Sequence, residues 1–190
     1  MNEAGVGRML PASLHQGIAD LLPNRLEFYE EWLNPKAMRD GRIGLAPLAA
    51  VLSFLRREGD AYQLVSARAG EYAAEWTFAD LSSLRRSFIK AAPLWLRLRL
   101  LTGVMQNMAG RTYRDCRTSV KWKKHTGTLR LSGSLFCVVR EPVDHALCEF
   151  YGSAVRRLGE LAGLELDVTS DRCRATGAER CTMTLTVRQP

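Results

Sequence analysis

No stretch of this 190-residue chain reaches the roughly 18 consecutive apolar residues that a membrane-spanning helix requires. The longest candidate, APLWLRLRLLTGVM, is interrupted by Arg97 and Arg99. The opening MNEAGVGRML lacks the basic start and apolar middle of a signal peptide. Histidine is scarce, and His15, His125 and His145 are too scattered to form a catalytic cluster. There is no G-x-G-x-x-G after a strand, no P-loop, no G-x-S-x-G and no H-E-x-x-H. Glu71, Glu75 and Asp80 read as helix-surface charges. Nothing resembles a flavin or nicotinamide site, so a hydride source for reduction is missing. The five cysteines are an odd number, which argues against a disulfide framework. With no signal-peptide pattern in the opening residues, the expected location is the cytoplasm, where thiols stay reduced. No repeat or low-complexity segment is present.

The apolar fraction of 46% is that of a globular protein. The net charge of +7 permits attraction to nucleic acid, anionic lipid or an acidic partner without choosing among them. Five basic residues, Arg117, Lys121, Lys123, Lys124 and Arg130, share one face of a period-two segment. A solvated sheet edge explains them better than a nucleic-acid site, which would also need stacking aromatics.

Residues 1–110 read mainly as helices. Leu10, Leu14, Ile18 and Leu21 recur at helical spacing, as do Leu26, Tyr29, Trp32 and Leu33 up to Asn34-Pro35. KAMRDGRIG reads as a loop. Leu45, Leu48, Leu52 and Leu55 form a stripe ahead of Gly59, and Tyr62–Val65 suggests a short strand. Three helical pieces follow between 68 and 110, the last carrying Leu94, Leu98, Leu101, Met105 and Met108. From 111 onward the period changes to two. Arg117–Lys123 and Thr128–Val139 pair about a turn at His125-Thr126-Gly127. Asp144 caps a helix whose inner face is Leu147, Tyr151, Ala154, Leu158 and Leu161. A final hairpin spans about 164–172 and 180–188. The expectation is an α+β fold, N-terminal helices packed on a C-terminal antiparallel sheet, in a single domain over 1–190.

Three cysteines lie in the last third. Cys148 falls on the helix, Cys173 ends one strand of the final hairpin and Cys181 opens the other, with Gly177 at the turn. A hairpin holds its strand ends about 5 Å apart, so Cys173 and Cys181 should be neighbours with Cys148 close by. From residue types alone they can be a zinc site, a disulfide with a spare thiol, or small buried core residues. His145, three residues before Cys148, and Asp171, Ser170 and Glu179 are the nearby candidates for a fourth ligand.

GSLFCVVREP (Gly133 to Pro142), CEFYGSAVRRLGELAG and CRATGAERCTMTL resemble the 4-vinyl reductase domain family. That family is named for a bacteriochlorophyll-biosynthesis protein and also includes phenol-sensing and hydrocarbon-binding members. The resemblance implies an antiparallel sheet with helices packed on it, a ligand-binding domain of the NO-signalling and Golgi-transport type, a fold shared with Golgi-transport tethering subunits. It also implies a structural zinc held by Cys148, Cys173 and Cys181. The family's glutamate ligand corresponds to Ser170 here, which leaves Asp171 or His145 to complete the set.

The aromatic and methionine residues of 72–108 fit both plain core packing and the wall of an apolar pocket. The resemblance implies a pocket for a hydrocarbon, aromatic or tetrapyrrole ligand, lined by Trp76, Phe88, Trp95, Leu98, Met105 and Phe136. The expected function is binding or sensing of a small hydrophobic molecule without catalysis. The alternatives are an enzyme or accessory in tetrapyrrole vinyl reduction, and a homodimeric tethering subunit.

Overall fold

Apolar residues spaced three and four apart turn most of residues 9–112 into helix, and alternation takes over beyond them. The computed structural model describes residues 5–139 and 142–188, so Arg140 and Glu141 of the Gly133–Pro142 stretch and the first four residues lie outside it. The helices are α1 Met9–Leu21, α2 Leu26–Glu30, α3 Pro35–Arg39, α4 Leu45–Leu55, α5 Ala61–Ala79, α6 Ser83–Ala91, α7 Leu94–Thr112 and α8 Glu149–Leu161. The strands are β1 Arg117–Lys123, β2 Thr126–Ser132, β3 Leu166–Arg172 and β4 Cys181–Val187. They form one antiparallel sheet in the order β1-β2-β4-β3.

Local chemistry explains where the sequence expectations fail. Asn34 and Pro35 do not merely stop a helix; they start α3. The Asn34 side chain accepts hydrogen bonds from the Lys36 and Ala37 amides, and proline occupies the first turn. Tyr62–Val65 is not a strand but the first turn of α5, with Tyr62 and Val65 buried on its inner face. The β1–β2 turn is tighter than expected, because Lys124 takes a φ of 55° and β2 already begins at Thr126. β2 also ends early. After Ser132 the chain leaves the sheet through Gly133 and forms a short 3-10 turn over Leu135–Cys137. Asp144 does not cap α8, which begins five residues later after Cys148.

The layers share one continuous apolar core, in which α8 lies between α5 and the sheet. The inner sheet face is built from cross-strand pairs such as Leu129 opposite Met183 and Leu131 opposite Cys181. At the α5–α8 crossing, a Cβ on Gly70 would stand 2.1 Å from the Phe150 carbonyl oxygen. Glycine is therefore the residue that lets the two backbones meet there. β1 is an edge strand, with Arg117, Lys121 and Lys123 exposed on one side. Its other side carries Trp122, whose indole N–H donates to the Thr102 hydroxyl of α7 at 3.0 Å. Charge along an unpaired edge discourages pairing with another chain. No helix among the described residues is long and apolar enough to cross a membrane.

Candidate metal centre and the adjoining cavity

Four chain segments converge on one point behind the final hairpin. Cys137 arrives on the 3-10 turn that follows β2, and Cys148 sits at the residue preceding α8. Cys173 follows β3, and Cys181 is the first residue of β4. The loop between the last two closes in a second 3-10 turn, Arg174–Thr176, ended by Gly177 in the left-handed region at φ 91°. All four residues are buried, and their sulfurs lie within 4.8 Å of one another. Cys137 Sγ is 3.5 Å from both Cys173 Sγ and Cys181 Sγ, and the latter two are 3.9 Å apart.

These distances discriminate among the readings left open by sequence. All five cysteines are free, and sulfurs 3.5 Å apart are far beyond a disulfide bond of about 2.05 Å. A regular tetrahedron of zinc–sulfur bonds about 2.3 Å long sets its sulfurs roughly 3.8 Å apart. The observed separations bracket that value. Two backbone amides also point at sulfur: Leu147 N–H donates to Cys173 Sγ at 3.4 Å and Arg174 N–H to Cys181 Sγ at 3.3 Å. Such donors favour the thiolate over the thiol. Contacts with Cys137, then Cys148, hold both Cys173 and Cys181 below the ordinary thiol range. Cys137 is pushed up by its contact with Cys148; Cys148 is lowered by Cys137 but raised on balance by Cys173 and Cys181. Deprotonation is thus favoured unevenly across the group, and a divalent ion bound there would favour the thiolate at all four positions.

The fourth member is Cys137, which falls inside the Thr128–Val139 stretch expected as a strand but lies on the 3-10 turn beyond β2. His145 lies before α8, so the one-face argument relating it to Cys148 does not apply. Its Nδ1 instead pairs with Asp144 Oδ1 at 2.6 Å on the exposed surface. Asp171 stands at an irregularity in the β3–β4 pairing between Ser170 and Arg172 and is turned outward. Its Oδ2 accepts from the Thr184 hydroxyl at 2.8 Å. Ser170 does border the group, its hydroxyl 3.7 Å from Cys148 Sγ. Glycine at 133, which ends β2 by a positive φ, is the one sequence signal for the turn that delivers Cys137.

The fifth cysteine, Cys116, is buried outside the four-sulfur group, 3.2 Å from the Tyr151 hydroxyl. Burial pushes its thiol up to about 11. A thiol raised in the folded state stabilises the fold below the ordinary thiol range and loses that contribution as pH rises through about 11. Cys116 is accordingly expected to be alkylated at pH 8 about 100-fold more slowly than a small free thiol. Peptide mapping after timed iodoacetamide labelling checks this, and labelling at the free-thiol rate would contradict it.

The six residues assigned to an apolar pocket do not come together. Phe88 and Trp95 are on the surface, 56% and 67% exposed. Trp76 stacks obliquely on Tyr72 at the edge of α5. Leu98 and Met105 are packed in the core, and Phe136 stacks on Phe150 at 4.6 Å. The reason is that α6 and α7 present a single apolar stripe each to the core, and Phe88 and Trp95 fall outside those stripes. None of the six lines the apolar cavity of about 330 Å³ that does exist. That cavity lies between α4, which supplies Leu45, Ala49 and Leu52, and the 133–138 segment, which supplies Leu135 and Val138. Arg56, Tyr113, Asp115 and Arg174 add its polar groups. Cavity and cysteine group therefore share two segments: Leu135 and Val138 flank Cys137, and Arg174 follows Cys173.

No family model and no curated protein matches the chain. Solved structures do. An H-NOX protein from S. oneidensis in its Fe(II)NO ligation state aligns with a TM-score of 0.59 and 14% identity, over 97% of this chain and 100% of that one. A trafficking protein particle complex subunit 3 from Naegleria fowleri, covalently bound to palmitic acid, aligns with a TM-score of 0.51 and 9% identity, over 86% and 92% of the two chains. The phenol-responsive sensory domain of the transcription activator PoxR aligns over 73% of each chain at a TM-score of 0.48 and 11% identity, too loosely to add to the assignment. The first two define the class: helices on a four-stranded antiparallel sheet, the NO-signalling and Golgi-transport type of fold.

Proposed function

We propose that this chain is a small-molecule-binding domain whose C-terminal hairpin is pinned by a structural zinc ion held by Cys137, Cys148, Cys173 and Cys181. The observation that carries the reading is the meeting of four buried sulfurs, from four separate segments, at the spacing of a tetrahedral thiolate site. Soft thiolates in tetrahedral array select zinc or iron. Such a site, with every position filled by protein and no opening to water, joins segments and does not activate a nucleophile. Zinc would tie the 3-10 turn after β2, the start of α8 and both ends of the final hairpin into one unit, contributing its binding energy to folding. Reduced thiols of this kind belong in a reducing compartment such as the cytoplasm.

The ligand-binding part of the proposal is supported by the apolar cavity beside the metal centre, within the size range of small-molecule sites. It is also supported by kinship in fold with proteins whose structures carry small ligands: NO at iron in one, palmitic acid in the other. The resemblance of the last third to the 4-vinyl reductase family points the same way, toward a hydrophobic ligand. The test is native mass spectrometry of chain purified without added metal. One zinc per chain is expected, with retained apolar small molecules released on denaturation. A chain whose mass equals that of the bare polypeptide, with free thiols at all five cysteines, would refute both parts.

A further inference from the structure

The small-molecule reading leaves the chemistry of the ligand open, and the cavity next to the cysteines narrows it. One wall is wholly apolar, made by Leu45, Ala49 and Leu52 of α4 facing Leu135 and Val138. The polar groups are unevenly matched. Arg56 is half-buried, and its Nη2 donates to the carbonyls of Phe136 at 3.2 Å and Val138 at 3.1 Å. Its Nε is shut away from solvent with no hydrogen-bond acceptor among the described residues. Arg174 also lines the cavity and is in no ion pair with a described carboxylate. The one acid on the lining, Asp115, lies 3.8 Å from Arg114 Nε. An apolar slot lined by two guanidinium groups and one carboxylate carries a net positive charge.

Both arginines line the same cavity, Arg56 half-buried and Arg174 exposed. Arg56 is clamped to the backbone of the Leu135–Cys137 turn, and Arg174 opens the turn that follows Cys173. The Arg56 side chain is thus fixed relative to the cysteine group, and the Arg174 backbone is fixed through its amide hydrogen bond to Cys181 Sγ, with its side chain exposed. Guanidinium groups recognise carboxylates through charge-assisted, directional hydrogen bonds.

Resting on the small-molecule reading above, we infer that this cavity takes an amphipathic monoanion, its hydrocarbon body along α4 and its carboxylate between Arg56 and Arg174. Neutral apolar molecules of the same length would fill the slot without satisfying the arginines, and cationic ones would be repelled.

The test is isothermal titration of the zinc-loaded full chain with dodecanoate, dodecan-1-ol and dodecyltrimethylammonium, all below micelle formation. Dodecanoate is expected to bind about tenfold or more tightly than the alcohol, and the cation not measurably. Arg174→Gln should bring dodecanoate to within about threefold of the alcohol with zinc content unchanged, which a role in balancing the metal charge would not produce. Ala49→Trp, at an exposed position on the lining, should fill the slot and abolish binding of both probes. Equal binding of dodecanoate and dodecanol, both blocked by Ala49→Trp, would overturn the anion assignment and leave the apolar-ligand reading standing. Dodecanoate binding that survives Ala49→Trp would overturn the site. Binding of no probe would defeat both readings.

Discussion

Cys137→Ser is expected to strip the protein of its metal: zinc content should fall from about one per chain to a small fraction, and the fold should lose roughly 3–5 kcal/mol. Serine keeps the shape of the side chain but offers a hydroxyl in place of a soft thiolate, and at neutral pH it does not ionise. The remaining three sulfurs would then share a buried site with no fourth donor, since His145 and Asp171 are engaged elsewhere on the surface. For a chain of this size that loss corresponds to a fall in the thermal midpoint of roughly 10 °C. His145→Gln and Asp171→Asn should leave zinc content and midpoint unchanged within error. Metal analysis alongside thermal unfolding of the three variants checks the prediction. Retention of zinc by the Cys137 variant, with loss in the Asp171 or His145 variant, would assign the fourth ligand to the other residue.

Gly70→Ala should destabilise the protein although alanine is the better helix former. In an exposed helix the exchange would gain about 1 kcal/mol. At the α5–α8 crossing the new methyl would meet the Phe150 carbonyl oxygen at 2.1 Å and the Ala154 amide nitrogen at 3.2 Å, both backbone atoms that cannot rotate away. The helices would have to separate, undoing packing on both sides of the crossing. Overpacking of this kind costs about 1–3 kcal/mol, and more where backbone must move, so a net loss of about 2 kcal/mol is expected. The control is Gly103→Ala on the exposed face of α7, where a Cβ meets nothing within 4 Å. There a gain of about 0.5–1 kcal/mol should appear. Urea midpoints of the two variants moving in the same direction would contradict the packing account.

The fold was largely readable from periodicity, because long stripes such as that of α7 and clean alternation such as that of β1 and β4 leave little ambiguity. The convergence of Cys148, Cys173 and Cys181 followed from hairpin geometry and the adjacent helix, and the structure brings those three together. The fourth sulfur was hidden. Leu135 and Cys137 continue the alternation of β2, and the one hint that they leave the sheet is Gly133, whose positive φ a residue pattern does not show. His145 was misplaced for a related reason, since α8 begins after Cys148 and the intervening residues are held by tertiary bonds. These include Val143 N–H to the Ala175 carbonyl and the Tyr62 hydroxyl to the Leu147 carbonyl. The cavity was unreadable for another reason. Its walls come from α4, the turn after β2 and the loop after β3, segments far apart in sequence that carry no shared pattern. Large aromatics drew attention to α6 and α7, where Phe88 and Trp95 point away from the core.

Zinc-edge X-ray absorption on chain purified without added metal bears most directly on the four-cysteine centre. The expected spectrum is a single shell of four sulfurs at about 2.3 Å, with no nitrogen or oxygen neighbour. A mixed shell containing nitrogen or oxygen would bring His145, Asp171 or water back into the coordination sphere, and an absent edge would remove the metal from the account altogether.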